Sequence, residues 1–373
     1  MRKRRSRRRK LPAYFWAVPA AAVTFVVLCF YLFPHKHPAS KISPPIAVSV
    51  DRSEIIRAFR SALDRAGGED AWVEPIAGAD QHVSRTASDP FKVWATAAGY
   101  ERVVDSAESE ARRNHLTFRV EGLADEPALR AERIELTLRD APLFQFKLRE
   151  IPRIMRVAII VDDLGQNLAA AQALSRIQSS ITFSVMPHLR YSRETAATAH
   201  RAGREVMLHL PMQPILDSAP DVSRDELRVG MKSREVSEII DNDLNSLPFV
   251  IGVNNHMGSR ATTDAQLMRD VMTVLAARHL YFVDSLTTRH SVALRVAREC
   301  NVSSFYRSVF LDNTRSIPYT LSQLHTLRRI AEKKGSALAI GHPYPTTIEA
   351  LAQYLPQLES QGIQLVPASR LVR

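Results

Sequence analysis

The chain has 373 residues, enough to bury a sizeable core and to hold more than one domain. With 45% hydrophobic and 24% charged residues, its composition is that of an ordinary globular protein. The net charge of +11 suggests nucleic acid only until it is located. Residues 1–10 hold eight Lys or Arg and no acid, and without those eight the remainder carries about +3, which excludes a generally basic binding face.

The basic tail 1–10 runs directly into an apolar stretch from Leu11 to Phe33 without a charged side chain. At 1.5 Å of rise per residue, roughly 20 residues cross a ~30 Å hydrocarbon core, so residues 11–34 are expected to form a transmembrane anchor. Tyr14, Trp16 and Tyr31 lie near its ends, where aromatic side chains favour the membrane interface. A cleaved signal peptide is the competing reading, but Phe30-Tyr31-Leu32-Phe33-Pro34-His35 lacks the small residues of a cleavage site. The positive tail should stay in the cytoplasm. The expectation is therefore a single-pass inner-membrane protein with everything after residue 34 periplasmic or otherwise extracytoplasmic.

Residues 35–47, rich in Pro, Ser and Lys, read as a linker. Residues 48–150 read as a small α+β domain. Ser53 is a candidate cap for a helix carrying Ile55, Ile56, Phe59 and Leu63 at helical spacing. Ile134, Leu136 and Leu138, then Phe144, Phe146 and Leu148, alternate with polar residues on either side of Asp140-Ala141-Pro142, a hairpin signal. No chemical constellation appears here, so packing, spacing or protein-partner binding is the expected role. Trp72 and Trp94 could stack on a sugar, with core placement the simpler assignment.

Over 151–373 short β-branched runs alternate with amphipathic segments such as Leu168–Ile177, Val236–Leu247 and Leu267–Leu275. Thr263 followed by Gln266 resembles a capping box at the start of the last of these. Seven or eight strand–helix repeats imply a parallel sheet, because parallel neighbours need a crossover. The expected fold is α/β, a distorted β/α barrel, with an open doubly wound sheet as the alternative. No GxGxxG or GxxxxGK[ST] marks a nucleotide site.

In such folds sites lie at the carboxyl ends of the strands. There the apolar runs end in Asp162-Asp163, His209, Asn254-Asn255-His256, Asp284 and His342. One such residue would mean little; five strand ends carrying His or Asp point to convergence on one mouth. Carboxylate with neutral imidazole suits Zn²⁺ and similar ions, and an Asp-His-His set leaves a position open for water. Two adjacent carboxylates could divide the work, one binding metal and the other accepting a proton. A turn or helix cap is the plain alternative for Asp162-Asp163. Cys300, the only cysteine beyond the apolar span, has no His near it in sequence and reads as a small packing residue.

The segments VDDLG, HLPM, NNHMGS, VDS and IGHP, in this order over about residues 154–370, resemble the divergent polysaccharide deacetylase family. That family is a branch of the NodB-homology carbohydrate esterases. The resemblance implies a distorted β/α barrel, with Asp162 as catalytic base, Asp163 as metal ligand, His209 at the position of the metal histidines and His342 as general acid. Two departures stand out. Ordinary members carry two ligands on one His-Ser/Thr-x-x-x-His segment, whereas His209 stands alone, so His256 is inferred to supply the missing ligand. The Arg-x-Pro-Tyr segment that serves the oxyanion is absent, which leaves Asn254, Asn255 or the stretch around Gly258 and Ser259 as candidate donors. Asp284 is expected to orient a histidine or to help hold the base. Arg260, Arg307 and Tyr344 are candidate sugar or anion contacts.

The implied function is a zinc-dependent hydrolase acting on an amide or ester bond. Its substrate would be an envelope glycan or related acylated sugar, deacetylated by metal-activated water. The alternative is an envelope binding or regulatory protein on a deacetylase-like scaffold with weak or no turnover.

Overall fold

Two separate sheets organise the computed structural model, which describes residues 51–75, 91–123, 130–215 and 226–373. The basic tail, the expected anchor 11–34 and the linker 35–47 fall outside the described residues. Among the described residues no helix is long and apolar enough to cross a membrane.

The first sheet belongs to residues 51–150. Helix α1 (Arg52–Gly67) starts at Asp51, whose carboxylate accepts the Ser53 N–H at 2.9 Å. The cap is therefore two residues earlier than Ser53, because the Asp51 carboxylate already reaches an orphan N–H of the first turn. Strands β1 (Ala71–Pro75) and β2 (Phe91–Ala95) precede helix α2 (Ala97–Arg113). Strands β3 (Thr117–Gly122), β4 (Ala131–Leu138) and β5 (Ala141–Glu150) complete a sheet of order β1-β2-β5-β4-β3. The expected hairpin is β4–β5, with Ile134 opposite Phe146 and Leu136 opposite Phe144. Both helices contribute to the core on one face, where Phe59, Leu63, Tyr100, Val103 and Phe144 are buried together. On the other face Trp72 and Trp94 pack with Ile151, and Trp94 Nε1 donates to Glu74 at 2.9 Å. Both rings are buried, so they are packing residues rather than a sugar platform.

The second sheet is all-parallel and curls on itself. Its strands are β6 (Met155–Leu164), β7 (Thr182–Val185), β8 (Val206–Met212), β9 (Val250–Met257), β10 (Tyr281–Asp284), β11 (Ser304–Tyr306), β12 (Val309–Phe310), β13 (Ser336–Gly341) and β14 (Ile363–Leu365). The order is β11-β10-β9-β8-β7-β6-β13-β12, with β14 beside the first residues of β6. The two strands that end this order are consecutive in the chain. The run SSFYRSVFLDN, read from sequence as one strand, divides at Arg307-Ser308 and passes from the β10 edge to the β13 edge.

The helices between these strands are α3 (Leu168–Ser175), α4 (Ser192–Arg201), α5 (Ser233–Ser246), α6 (Ala265–Ala277), α7 (Ala293–Glu299), α8 (Ile317–Lys334) and α9 (Pro345–Ser360). Helix α6 is capped by Asp264, which accepts the Leu267 N–H at 2.8 Å. Thr263 lies in the preceding 3₁₀ turn and bonds back to Arg260, so the expected Thr263–Gln266 box does not form.

Alternation along the strands sorts the side chains into two layers. Val157, Ile159, Val161, Leu208, Leu210, Val253 and Phe282 join the layer packed against the helices. Ala158, Ile160, Met207, Tyr281, Val283, Leu338 and Ile340 form a smaller apolar cluster inside the curl. Continuing that inner parity towards the strand ends leads to Asp162, His209, Asn254 and His342. The functional cluster is thus the polar top of the inner core.

Candidate metal centre

The first requirement is that two adjacent carboxylates reach the same place. Along β6 and β7, Val161 pairs with Phe183 and Leu164 with Val185, so three steps on one strand match two on the other. At this bulge Asp163 adopts φ 55°, a left-handed conformation that a short polar residue tolerates better than a β-branched one. In an unbroken strand the two side chains would face opposite sides. Here Asp163 Oδ1 lies 3.2 Å and Asp162 Oδ2 3.6 Å from the same atom, His209 Nε2.

Register supplies the remaining members. Strands β8 and β9 set His209 beside Asn254 and Pro211 beside His256. His256 is two residues beyond Asn254, on the same side of the strand and nearer the mouth. Its Nδ1 is 3.1 Å from Asp163 Oδ1 and 3.1 Å from His209 Nε2. Donor atoms of Asp163, His209 and His256 all fall within 4.8 Å of one another. Asp163 Oδ1 is buried and accepts no hydrogen bond, which in a folded protein calls for an explanation. A divalent cation meets that need and fits the donor set.

Asn254 ties the cluster together. Its Oδ1 accepts from Ser184 Oγ at 2.6 Å and faces His209 Nδ1 at 3.0 Å. A carbonyl oxygen can only accept, so His209 carries a proton on Nδ1 and offers the Nε2 lone pair to an ion. Asn254 Nδ2 donates to Asp162 Oδ1 at 2.8 Å and to Ser285 Oγ at 3.3 Å. All four hydrogen-bonding positions of the amide are engaged, which corrects its expected oxyanion role. Asn255 has the opposite parity. It donates to Met257 O and accepts from Ser285 N, so it braces the strand ends and is not an oxyanion donor either. Ser259 Oγ accepts the Ile215 N–H at 2.9 Å, joining the segments that leave β8 and β9.

Asp284 also needs correction. Asn254 is level with Val283, which sets Asp284 level with Asn255 and on the helix-facing side. Its carboxylate accepts from Leu286 N and from Ser291 Oγ, shaping the loop after β10, and it contacts no histidine among the described residues. Burial raises its pKa, against those hydrogen bonds and the charge of Arg307. Arg307 in turn donates to the carbonyls of Ser285 and Leu286, a packing role rather than a free anion contact.

His342 closes the site from β13. Its Nε2 is 3.8 Å from Asp163 Oδ2, and its Nδ1 is 2.9 Å from Asp312 Oδ1. Asp312 accepts the His342 backbone N–H and the Thr347 hydroxyl as well. The imidazole stacks on Phe310, with centroids 5.6 Å apart and planes within 7°. Sequence reading missed Asp312, although it ends the sixth apolar run just as the named residues end theirs.

The electrostatics follow from burial against pairing. Burial raises the pKa of Asp162, with His209 and Asn254 opposing the rise. For Asp163 burial is outweighed by the two histidines, which hold the carboxyl well below its usual range. Burial would lower His209, yet Asp162, Asp163 and Asn254 carry it up to about 9. His342 is likewise raised, because Asp312 and the two site carboxylates outweigh desolvation.

An Asp-His-His cluster on a curled parallel sheet, flanked by a buried carboxylate and an Asp-paired histidine, defines a deacetylase-like α/β protein. Residues 159–372 match the divergent polysaccharide deacetylase family, and the chain belongs to that family. An uncharacterized protein of Haemophilus influenzae is 38% identical over 218 residues, covering 58% of this chain and 77% of its own length. The uncharacterized protein YibQ of Escherichia coli is 36% identical over 217 residues, covering 58% and 67%. The crystal structure of an uncharacterized protein from Agrobacterium tumefaciens C58 shares the fold. It has a TM-score of 0.57 and 24% identity, covering 59% of this chain and 90% of that one.

Proposed function

We propose that the chain is a zinc-dependent hydrolase that removes an acetyl group from an envelope polysaccharide or a related sugar. One observation carries the reading: the buried, hydrogen-bond-free Asp163 Oδ1 faces His209 Nε2 and His256 Nδ1 at 3.2 and 3.1 Å. When bound there, a divalent ion would acidify water towards a pKa of ~7 and polarise an acyl carbonyl.

The protein groups handle the protons. Asp162 takes one from the attacking water as the new C–O bond forms. Its Oδ1 is held by Asn254, which leaves Oδ2 directed to the ligand cluster. His342 gives one from Nε2 to the departing nitrogen or oxygen as the acyl bond breaks. Asp312 fixes the ring through Nδ1, and its charge keeps the imidazole protonated to higher pH than a free histidine.

We also propose that residues 11–34 anchor the chain in the inner membrane, with the N-terminus cytoplasmic and the site outside. The eight positive charges before an uncharged apolar stretch support this.

Full-length protein in detergent should hold one zinc per chain by elemental analysis and lose it in the His209→Ala and His256→Ala variants. It should release acetate from acetylated envelope glycan. Metal-free protein that retains its full cellular role would refute the hydrolase in favour of a binding or regulatory protein on a deacetylase-like scaffold.

A further inference from the structure

The described parts of the loops that leave the carboxyl ends of the second sheet carry an uneven charge; Asp217, Asp221 and Asp225, after β8, lie outside the described residues. Arg190 follows β7, Arg260 follows β9, Arg289 follows β10 and Arg315 follows β12, and all four are exposed. None forms an ion pair with an acid among the described residues. Arg190 lies over the Tyr191 ring, Arg289 bonds His290 and Arg315 bonds the Tyr344 hydroxyl. The acids among the described residues of the same loops are committed elsewhere. Asp284 and Asp312 are buried and hydrogen-bonded, Glu226 is buried beside Arg228, and Asp264 caps α6. Other exposed arginines of this chain do find acids, as Arg102 does with Asp70, Arg130 with Glu101 and Arg234 with Glu238.

Arg315 is the arginine that the geometry links to the reacting groups. Its guanidinium carbon sits 4.0 Å above the Tyr344 ring and Nη2 donates to the hydroxyl at 2.9 Å. The Tyr344 ring is 5.6 Å from the ring of His342. Two steps of 4.0 and 5.6 Å keep the cation within about 10 Å of His342, roughly one Debye length at 0.1 M salt. One hydrogen bond to Tyr344 leaves the other guanidinium N–H groups available, in a planar fork suited to carboxylate or phosphate. Tyr344 holds this fork in place, so little rotamer freedom is lost on binding.

We infer that the mouth reads an anion on the substrate, with Arg315 on its Tyr344 platform as the specificity-determining residue. The substrate class is then an acetylated sugar bearing a carboxylate or a phosphate near the acetyl group, rather than a neutral glycan. This inference rests on the hydrolase reading for its setting but not for its test.

The test compares three acetylated oligosaccharides of equal length with full-length, zinc-loaded protein: one neutral, one with carboxylates and one with phosphates. Binding is followed by titration calorimetry and turnover by acetate release. Wild type should bind at least one anionic probe about tenfold more tightly than the neutral one. The preference should shrink as salt rises from about 0.02 to about 0.5 M. Arg315→Ala should lose several times more affinity for the anionic probe than for the neutral one, and Arg315→Lys should recover part of the difference. Whether the carboxylate or the phosphate arm responds identifies the source of the anion. Arg315-dependent anion binding without acetate release would uphold this inference and sink the hydrolase. Acetate release with equal use of all three probes, or an Arg315→Ala loss that is uniform across them, would overturn the inference and leave the hydrolase standing.

Discussion

Replacing Asn254 by Asp changes one amide nitrogen to oxygen and little else in shape. The new oxygen would stand where Nδ2 now donates to Asp162 Oδ1 at 2.8 Å. With an effective dielectric constant of about 20, two unit charges at that distance repel by about 6 kcal/mol. That is several times the 1.36 kcal/mol of one pKa unit, so the pair cannot be doubly ionised near neutrality and one carboxyl keeps a proton. The new carboxyl keeps the contacts with Ser184 and His209 that favour its ionised form, so the proton falls to Asp162 and the base is disabled. Asn254→Asp should lose about 10²–10³ in kcat at pH 7, and the acid limb of its pH–rate profile should move to higher pH. The oxygen that holds His209 Nδ1 survives the exchange, so zinc affinity should fall less than about tenfold. Asn254→Ala removes both contacts and should weaken zinc by about 10–100-fold. Initial rates on a chromogenic acetyl ester from pH 5 to about 10, with a chelator competition for zinc, separate the two effects. A wild-type rate and profile in Asn254→Asp would refute the assigned coupling between Asn254 and the base.

Other expectations follow from the same geometry. In ion-free protein His209 stays protonated up to about 9, so zinc must displace that proton. Calorimetry in buffers of different ionisation heat should show about one proton released from this group at pH 8, and apparent affinity should rise nearly tenfold per unit between about pH 7 and 9. An affinity independent of pH would contradict it. Asp312→Asn removes the charge that raises His342, so the alkaline limb of the profile should shift to lower pH and kcat should fall by about 10²-fold or more. An unshifted limb would remove His342 from the acid role. Gly252 lies under the ring of buried Tyr281, where a Cβ would collide with three ring carbons. Gly252→Ala should therefore destabilise the fold by about 1–3 kcal/mol in urea titration, whereas an unchanged midpoint would show the inner core to be looser than described.

Much of the second sheet was legible because a buried parallel strand is written as a short apolar run, and most of the runs here are closed by a polar residue. Alternation of Ile134, Leu136, Phe144 and Phe146 likewise gave away the β4–β5 hairpin, since a sheet with one covered face repeats every two residues. The candidate metal trio was accessible for a related reason: Asp163, His209 and His256 lie at the carboxyl ends of β6, β8 and β9. Helix starts were misread by one or two residues at Ser53 and Thr263, where a nearby Asp competed for the same orphan N–H groups.

The amino-acid order by itself determined which segments become strands, where the polar strand ends fall and which residue types gather there. Only the tertiary structure decided what those residues face. Parity between paired strands turns Asn255 and Asp284 towards the helices and Asn254 towards the Asp–His–His cluster, and a single bulge turns Asp163 to the side of Asp162. Asp312 meets His342 across thirty residues of chain. Periodicity along one strand is a local property, whereas register and a bulge depend on the neighbour; that is why the cluster could be read and the roles of its members could not.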